Sequence, residues 1–510
     1  MSKIVPIRYM PDADCWWSSN PGAVSDLQQL APLARGSYGT VGSLRQFTIT
    51  GTDYVYGKLF RQVSGSTRFL VFRKSDIDEY ASNGTRTNQG TGYSASTATW
   101  SAAGFGNAIV ACNYLNDTQI STGTTFSAIG SGCPKARLVA ANNNFTMLAD
   151  YNDGVNQYAD GWWCSAIGNA TSWTASLATQ AANGRILDVS GPIRALVAYK
   201  DTFVAFKDNS IHILEYVGPP YIWSVRTVTN AVGAHGPRAV CELRGVLYFV
   251  HSSGLYSFDG SNITSIGDVV ENTFLALANE VRRKITLSGT APTGTSLATA
   301  QVVADDVENI IWFSLTSYDT SEGTRSYLYS FGYNVTSGKW GSVNGAMTTS
   351  TVRQVVVDST HADRKSFGFT DAAYARVIKL QTLTSTSGVF AYAYPYAATQ
   401  TYESMGGGNF TTGVIGEHGQ SARAARVWWH TGFANNLSSS MITSVASTSY
   451  KNSGNIGGGL FSSGVVNTRL DCGDVNFAGG AFATVQIGTV DNAPCEIYGI
   501  GVDLVPAGKV

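Results

Sequence analysis

The sequence predicts an all-β protein: a β-propeller of six blades, with seven as the alternative count, followed by a C-terminal β-sandwich of jelly-roll type. Three observations carry this. Short runs of Val, Ile, Phe, Tyr and Trp alternate with clusters of Gly, Asn, Asp and Ser, the pattern of strands and tight turns. Helical spacing of apolar residues is confined to two segments, Ser25 to Ala34 and Val270 to Arg283. A hairpin-like unit also recurs at about 40 to 45 residues, the period of propeller blades.

Residues 1–45 read as an extended docking segment. The opening "MSKIVPIRYMPDADCWW" has no apolar run of signal-peptide length, and no 18-residue apolar stretch follows anywhere. The expectation is a chain without membrane insertion or Sec export.

The propeller is placed at 46–384. "FVAFKDNSIHILEY" from Phe203 aligns without a gap on "LYFVHSSGLYSFDG" from Leu247, 44 residues on. Phe203 pairs with Leu247, Phe206 with Val250, Lys207 with His251, Ile211 with Leu255 and Leu214 with Phe258. "FLVFRKSDID" puts Phe72, Arg73 and Ile77 at the same places, 134 residues upstream of Phe206, Lys207 and Ile211. Looser copies begin at Ala108 and Phe145, "LYSF" recurs at Leu255 and Leu328, and a last weak unit spans Ser366 to Leu380. Each unit reads as strand, polar turn, strand, with Lys207 to Ser210 as one such turn. Gly218, Pro219 and Pro220 read as a rigid corner that aims Trp223 into the next strand.

Residues 385–510 change texture. Gly-, Ser- and Asn-rich spacers separate alternating strands such as "ARAARVWWHTGF" and "CEIYGIGVDLVPAGKV", the pattern of half-buried antiparallel sheet.

Composition narrows the function classes. Charged residues are 14% of the 510, against about 25% in an average soluble chain. Lys plus Arg is 34 and Asp plus Glu is 35, net charge −1, with no basic cluster of the kind that grips phosphates. The seven cysteines, Cys15, Cys112, Cys133, Cys164, Cys241, Cys472 and Cys495, show no metal or disulfide spacing and read as reduced.

No catalytic, cofactor-binding or metal-binding residue is assigned, and the chain is read as a non-enzyme. The six histidines, His212, His235, His251, His361, His418 and His430, lack HxH or HxxxH spacing. "SGKWGS" (Ser337 to Ser342) has the lysine of a phosphate loop without its glycine. Carboxylate groups at Asp12 to Asp14, Asp76 to Glu79 and Asp305 to Glu308 have the residue types of glycoside hydrolysis but fit turn formation better. "SAIGNATSW" (Ser165 to Trp173) is loosely similar to an Asp-box, with Ile167 where the defining Asp belongs; Trp173 reads as a strand-packing residue. Trp223, Trp312 and Trp340 fit inter-blade packing. The pairs Trp16–Trp17 and Trp428–Trp429 place one ring of each outward, a candidate protein contact.

Leu196 to Gly267 resembles the propeller segment of tail nozzle (packaged-DNA stabilisation) proteins of short-tailed bacteriophages. The residues carrying the likeness are Glu215 to Trp223 (Glu-Tyr-x-Gly-Pro-Pro-x-x-Trp), Val232 to Val240, and Leu247 to Gly260. Pro506, Ala507 and Gly508 are similar to that family's ending. The resemblance implies a virion protein of the tail, assembled in the host cytoplasm as a ring of six identical subunits below the portal and adaptor rings. Such a nozzle retains the packaged genome, conducts double-stranded DNA during ejection without reading its sequence, and meets fibres, spikes or a needle outside. The alternative from another class is a propeller that binds or degrades host-surface carbohydrate; it predicts carboxylates and exposed aromatics at one channel mouth.

Overall fold

The computed structural model describes residues 2–12, 23–28, 30–40, 54–80, 85–94, 100–123, 125–130, 132–278, 300–306, 308–319, 325–347, 352–357, 380–384, 389–390, 409–412, 422–434, 440–447, 459–460, 465–466, 469–474, 483–489 and 495–506. Among these the chain is a β-propeller with further sheets, and its only helix covers 271–278.

Six four-stranded antiparallel blades follow in chain order. Blade 1 is Tyr54–Arg61, Thr67–Arg73, Asp76–Tyr80 and Arg86–Thr91. Blade 2 is Ser101–Phe105, Ala108–Cys112, Gln119–Ser121 and Ser127–Ala128. Blade 3 is Lys135–Ala141, Thr146–Asn152, Gln157–Cys164 and Ala182–Arg185. Blade 4 is Ala195–Tyr199, Thr202–Phe206, Ile211–Gly218 and Ile222–Thr229. Blade 5 is Val240–Leu243, Val246–His251, Gly254–Phe258 and Ile263–Ser265. Blade 6 is Gln301–Asp305, Ile310–Asp319, Arg325–Asn334 and Lys339–Met347. The first strand of each lies beside the first strand of the next. A three-stranded sheet, Val352–Val357, Leu380–Thr384 and Val389–Phe390, touches blades 6 and 1 and completes the ring. The expected six is thus the count of four-stranded blades, and the closing sheet is a seventh, smaller unit.

The sequence repeat is the strand register. Phe203 opposes Leu214 and Phe206 opposes Ile211 in blade 4; the aligned Leu247 opposes Phe258 and Val250 opposes Leu255 in blade 5. In blade 1, Phe72 opposes Ile77. All of these are buried. Period-two alternation then sends successive residues to different neighbours. Phe203, Ala205 and Leu214 pack with Phe145 and Trp162 of blade 3, whereas Val204, Phe206 and Ile213 pack with Leu247 and Phe249 of blade 5. Because both faces are covered, the strands read as continuous apolar runs. Each of the Val, Leu, Ile and Phe side chains among them contributes about 1.5–3 kcal/mol on burial.

Of the two helically spaced segments, only the second forms a helix. Val270, Phe274 and Ala278 fall on one buried face of it. Ser25 to Ala34 instead lies largely in the strands Ala23–Gln28 and Leu30–Pro32, because sheet partners are available: Asn409–Thr412 for the first, Ser342 and Tyr38–Thr40 for the second. Tertiary pairing overrides a weak local preference.

The N-terminal residues are woven into sheets. Ser2–Pro6 pairs with Cys495–Pro506, and Arg8–Tyr9 with Ala23–Gln28. Through Leu30 opposite Ser342, the blade 6 sheet continues into Leu30–Pro32, Tyr38–Thr40, Cys495–Pro506 and Ala422–Ala434. Four side chains fasten this segment. Lys339 Nζ donates to the carbonyls of Ile7 (3.1 Å) and Gly36; Ser342 donates to Leu27 O, and Asn334 to Pro32 O at 3.2 Å. Asp12 caps the helix, accepting from the amides of Asn272 (2.6 Å) and Thr273 (2.9 Å).

Candidate functional site

Antiparallel order divides the blade loops between two faces. Turns between strands 2 and 3 share a face with the linkers joining one blade to the next; turns between strands 1 and 2 and between strands 3 and 4 share the other.

On the linker face a polar belt crosses blades 2 to 5. Arg137 of blade 3 lies over the ring of Tyr114 in the blade 2 turn, 4.1 Å from its centroid, with Nε 2.9 Å from Asp150 Oδ2. Burial pushes the Asp150 carboxyl up to about 6 against the pull of Arg137 and Arg194. Tyr114 and Asp150 both have left-handed backbones, φ 67° and 50°, and Asp150 sits at a break in strand register. Strained backbone and a displaced carboxyl together mark a functional-site candidate. Arg194 continues the belt with two 3.0 Å contacts to Asp208. Asp208 lies 3.3 Å from His235, which stacks on His251.

Beside the belt, Ser210, His212 and Asp188 have the atom order of a nucleophile relay. Ser210 Oγ is 2.8 Å from His212 Nε2, and His212 Nδ1 is 3.1 Å from Thr227 Oγ1, whose hydroxyl donates to Asp188. Ser210 and His212 have no exposed surface, so no substrate reaches the hydroxyl. Lys207, at the repeat position shared with Arg73 and His251, donates Nζ to the carbonyls of Ile186 (2.8 Å) and Val189. These groups fasten the linker between blades 3 and 4.

The other face carries the corner of the Glu215–Trp223 stretch. Gly218 turns at φ +77°, the peptide Pro219–Pro220 is cis, and Ile222 is held at φ 61°, a region β-branched residues avoid. Trp223 enters the blade 3 core, 5.1 Å from the Phe145 ring, and donates Nε1 to Cys164 Sγ at 3.0 Å. Tyr221 (82% exposed) and Val217 (53%) face outward; Ile167 and Leu177, also exposed, belong to the blade 3 loop that Tyr216 contacts through Gln180.

The other sequence candidates have structural positions. Lys207 to Ser210 is a turn closed by Lys207 N to Ser210 O at 2.9 Å. Asp76 and Asp78 pair with Arg73, Asp78 also with Arg86, and Glu79 with Arg68. Asp12 is the helix cap, and Asp305 Oδ1 accepts from the Glu308 amide. Lys339 is committed to carbonyls rather than a phosphate. Trp312 and Trp340 are buried. Trp173 is buried as well, but in the loop between strands 3 and 4 of blade 3 rather than on a strand: its Nε1 reaches Ala170 O, and Trp163 reaches its own carbonyl. Trp16, Trp17, the 366–379 part of the last repeat unit and the side chains of Trp428 and Trp429 lie outside the described residues. Among the described residues no group of three or more His, Cys, Asp or Glu is placed to hold a metal, and no helix is long and apolar enough to cross a membrane. Sequence reading missed the Asp150 site, for which a lone Asp in an apolar strand, "TMLADYN", is the only signal.

No protein-family model matches the chain, and no curated protein sequence matches it. Solved structures similar to it include YCF48 bound to a D1 peptide (11% identity over 69% of this chain and 97% of that one, TM-score 0.38). Others are a virginiamycin B lyase from Staphylococcus aureus (8%, 68% and 97%, TM-score 0.39) and the extracellular domain of a hybrid two component system from B. thetaiotaomicron (8%, 79% and 45%, TM-score 0.41). At these values the likenesses carry no argument about what the chain does.

Proposed function

We propose that the chain is a structural tail protein of a short-tailed bacteriophage. It forms a ring of six copies, a nozzle below the portal and adaptor that retains the packaged genome and conducts it at ejection. The observation that carries this reading is the corner itself. Glu215 to Trp223, the stretch with the strongest family resemblance, anchors Trp223 in the core and presents Tyr221 and Val217 outward. It holds an apolar contact surface, and its one carboxylate, Glu215, is paired with Arg226 at 3.0 Å. The low charge and net −1 suit a wall that passes DNA without gripping it. Negative-stain imaging of the purified protein mixed with portal–adaptor complex tests the proposal: six-fold rings docked on the adaptor end are expected, and a persistent monomer that never docks overturns it.

A second reading, a carbohydrate-active propeller, draws on Asp150, whose displaced carboxyl lies beside Tyr114 on the linker face. Incubation with host polysaccharide distinguishes it: shortened chains that stay intact with Asp150→Asn favour it, and no binding or cleavage ends it.

A further inference from the structure

His235 and His251 belong to different elements, yet their rings stack with centroids 5.4 Å apart and planes within 12°. His235 lies in the linker between blades 4 and 5; His251 ends the second strand of blade 5. The Ser253 amide donates to His251 Nδ1 at 3.2 Å, and the Ser253 hydroxyl is 2.7 Å from the same nitrogen. Nε2 is 3.1 Å from Asn209 Oδ1 in the blade 4 turn. A carboxamide oxygen only accepts, so Nε2 carries the proton and Nδ1 is the acceptor. This set of partners fits the neutral ring. A second proton, on Nδ1, could bond the Ser253 hydroxyl but would also face the Ser253 backbone N–H, which cannot turn away.

We propose that the stacked pair is an acid-sensitive clasp, which ties the blade 4 turn, the linker and the blade 5 turn together and opens when His251 takes up a second proton. Charged and titratable groups face the pair from three elements. From blade 4, Asp208 faces His235 Nδ1 and is itself held by Arg194, while Lys207 is turned to the carbonyls of Ile186 and Val189. From blade 5, the Tyr256 hydroxyl is 2.8 Å from Ser253 Oγ, and from the helix the Glu271 carboxylate packs against Gly254. Burial first, and then the neighbouring His235, hold the His251 pKa down to about 4. A folded value below the ordinary 6.5 means that the closed form loses ground as pH falls below about 6.5, down to about 4. Nothing in this depends on ring assembly.

Hydrogen exchange of the full chain at pH 7.5 and pH 5, corrected for intrinsic rates, tests the clasp. Amides 231–236 and 250–256 are expected to lose about tenfold in protection relative to amides 108–121 of blade 2. His251→Asn, which keeps an acceptor near Ser253 but cannot titrate, removes that difference. Should His251→Asn fail to fold, His235→Gln, which removes the ring stacked on His251 but leaves His251 buried, is expected to reduce the acid response without abolishing it. Equal acid responses in blades 2 and 5, or a full response in a folded variant, overturn the proposal.

Discussion

Trp223 shows what one side chain does in this ring. Its indole meets Phe145, Phe203 and Tyr216 at 5.1, 5.6 and 5.8 Å, so it joins the corner of blade 4 to the core of blade 3. Trp223→Ala is expected to cost about 3–5 kcal/mol in urea unfolding, with the slope unchanged. Asp150 works in the other direction. Its folded pKa of about 6 lies above the ordinary 3.8, so its charge is a burden on the fold above pH 6 that is relieved as pH falls toward 4. Asp150→Asn is therefore expected to raise stability at pH 7.5 by about 1–2 kcal/mol and to flatten the pH profile between 4 and 6. Trp223 was legible in sequence because aromatic residues on repeating strands have one usual destination. Asp150 was not, because its burial follows from a register break and its charge partner sits on another strand. Ser210, His212 and Asp188 were invisible for a related reason: a linker brings the third residue to the other two.

At the scale of elements, the 44-residue offset was legible because two hairpins with the same register must bury the same positions. The close approach behind "VGAHGPRAV" was not. A methyl group on Gly233 would stand 2.0 Å from the Lys207 carbonyl oxygen, a backbone atom that cannot move aside, while the Ala234 amide donates to that same oxygen at 2.9 Å. Gly233→Ala is expected to lower stability by about 1–3 kcal/mol in thermal or urea unfolding. The helix 271–278 was foreseen from its apolar spacing, but its cap was not, since Asp12 arrives from 260 residues upstream of Asn272. Asp12→Ala removes two amide acceptors and a negative charge at a helix start. A loss of about 1–2 kcal/mol is expected, with helix amides exchanging first.

In the whole molecule, the blade 6 sheet does not end at its outer strand. Leu30 opposes Ser342, and Lys339, Ser342 and Asn334 hold the N-terminal segment there. Removing residues 1–40 is expected to bare the edge Lys339–Met347 and to yield a protein that aggregates or is cut near it; a truncated chain that stays monomeric and protease-resistant would count against this role. Sequence placed these residues as an extended segment but had no means of naming partners 300 to 500 positions away, because period-two patterns identify a strand and not its neighbour. The pairing of Ser2 with Asp503 also has a consequence in time. Translation at about 5–20 residues per second leaves the first strand waiting roughly 25–100 s for its mate. While the ribosome finishes, the emerging polypeptide carries an open strand that a chaperone, or a sibling on the same messenger, is free to meet first.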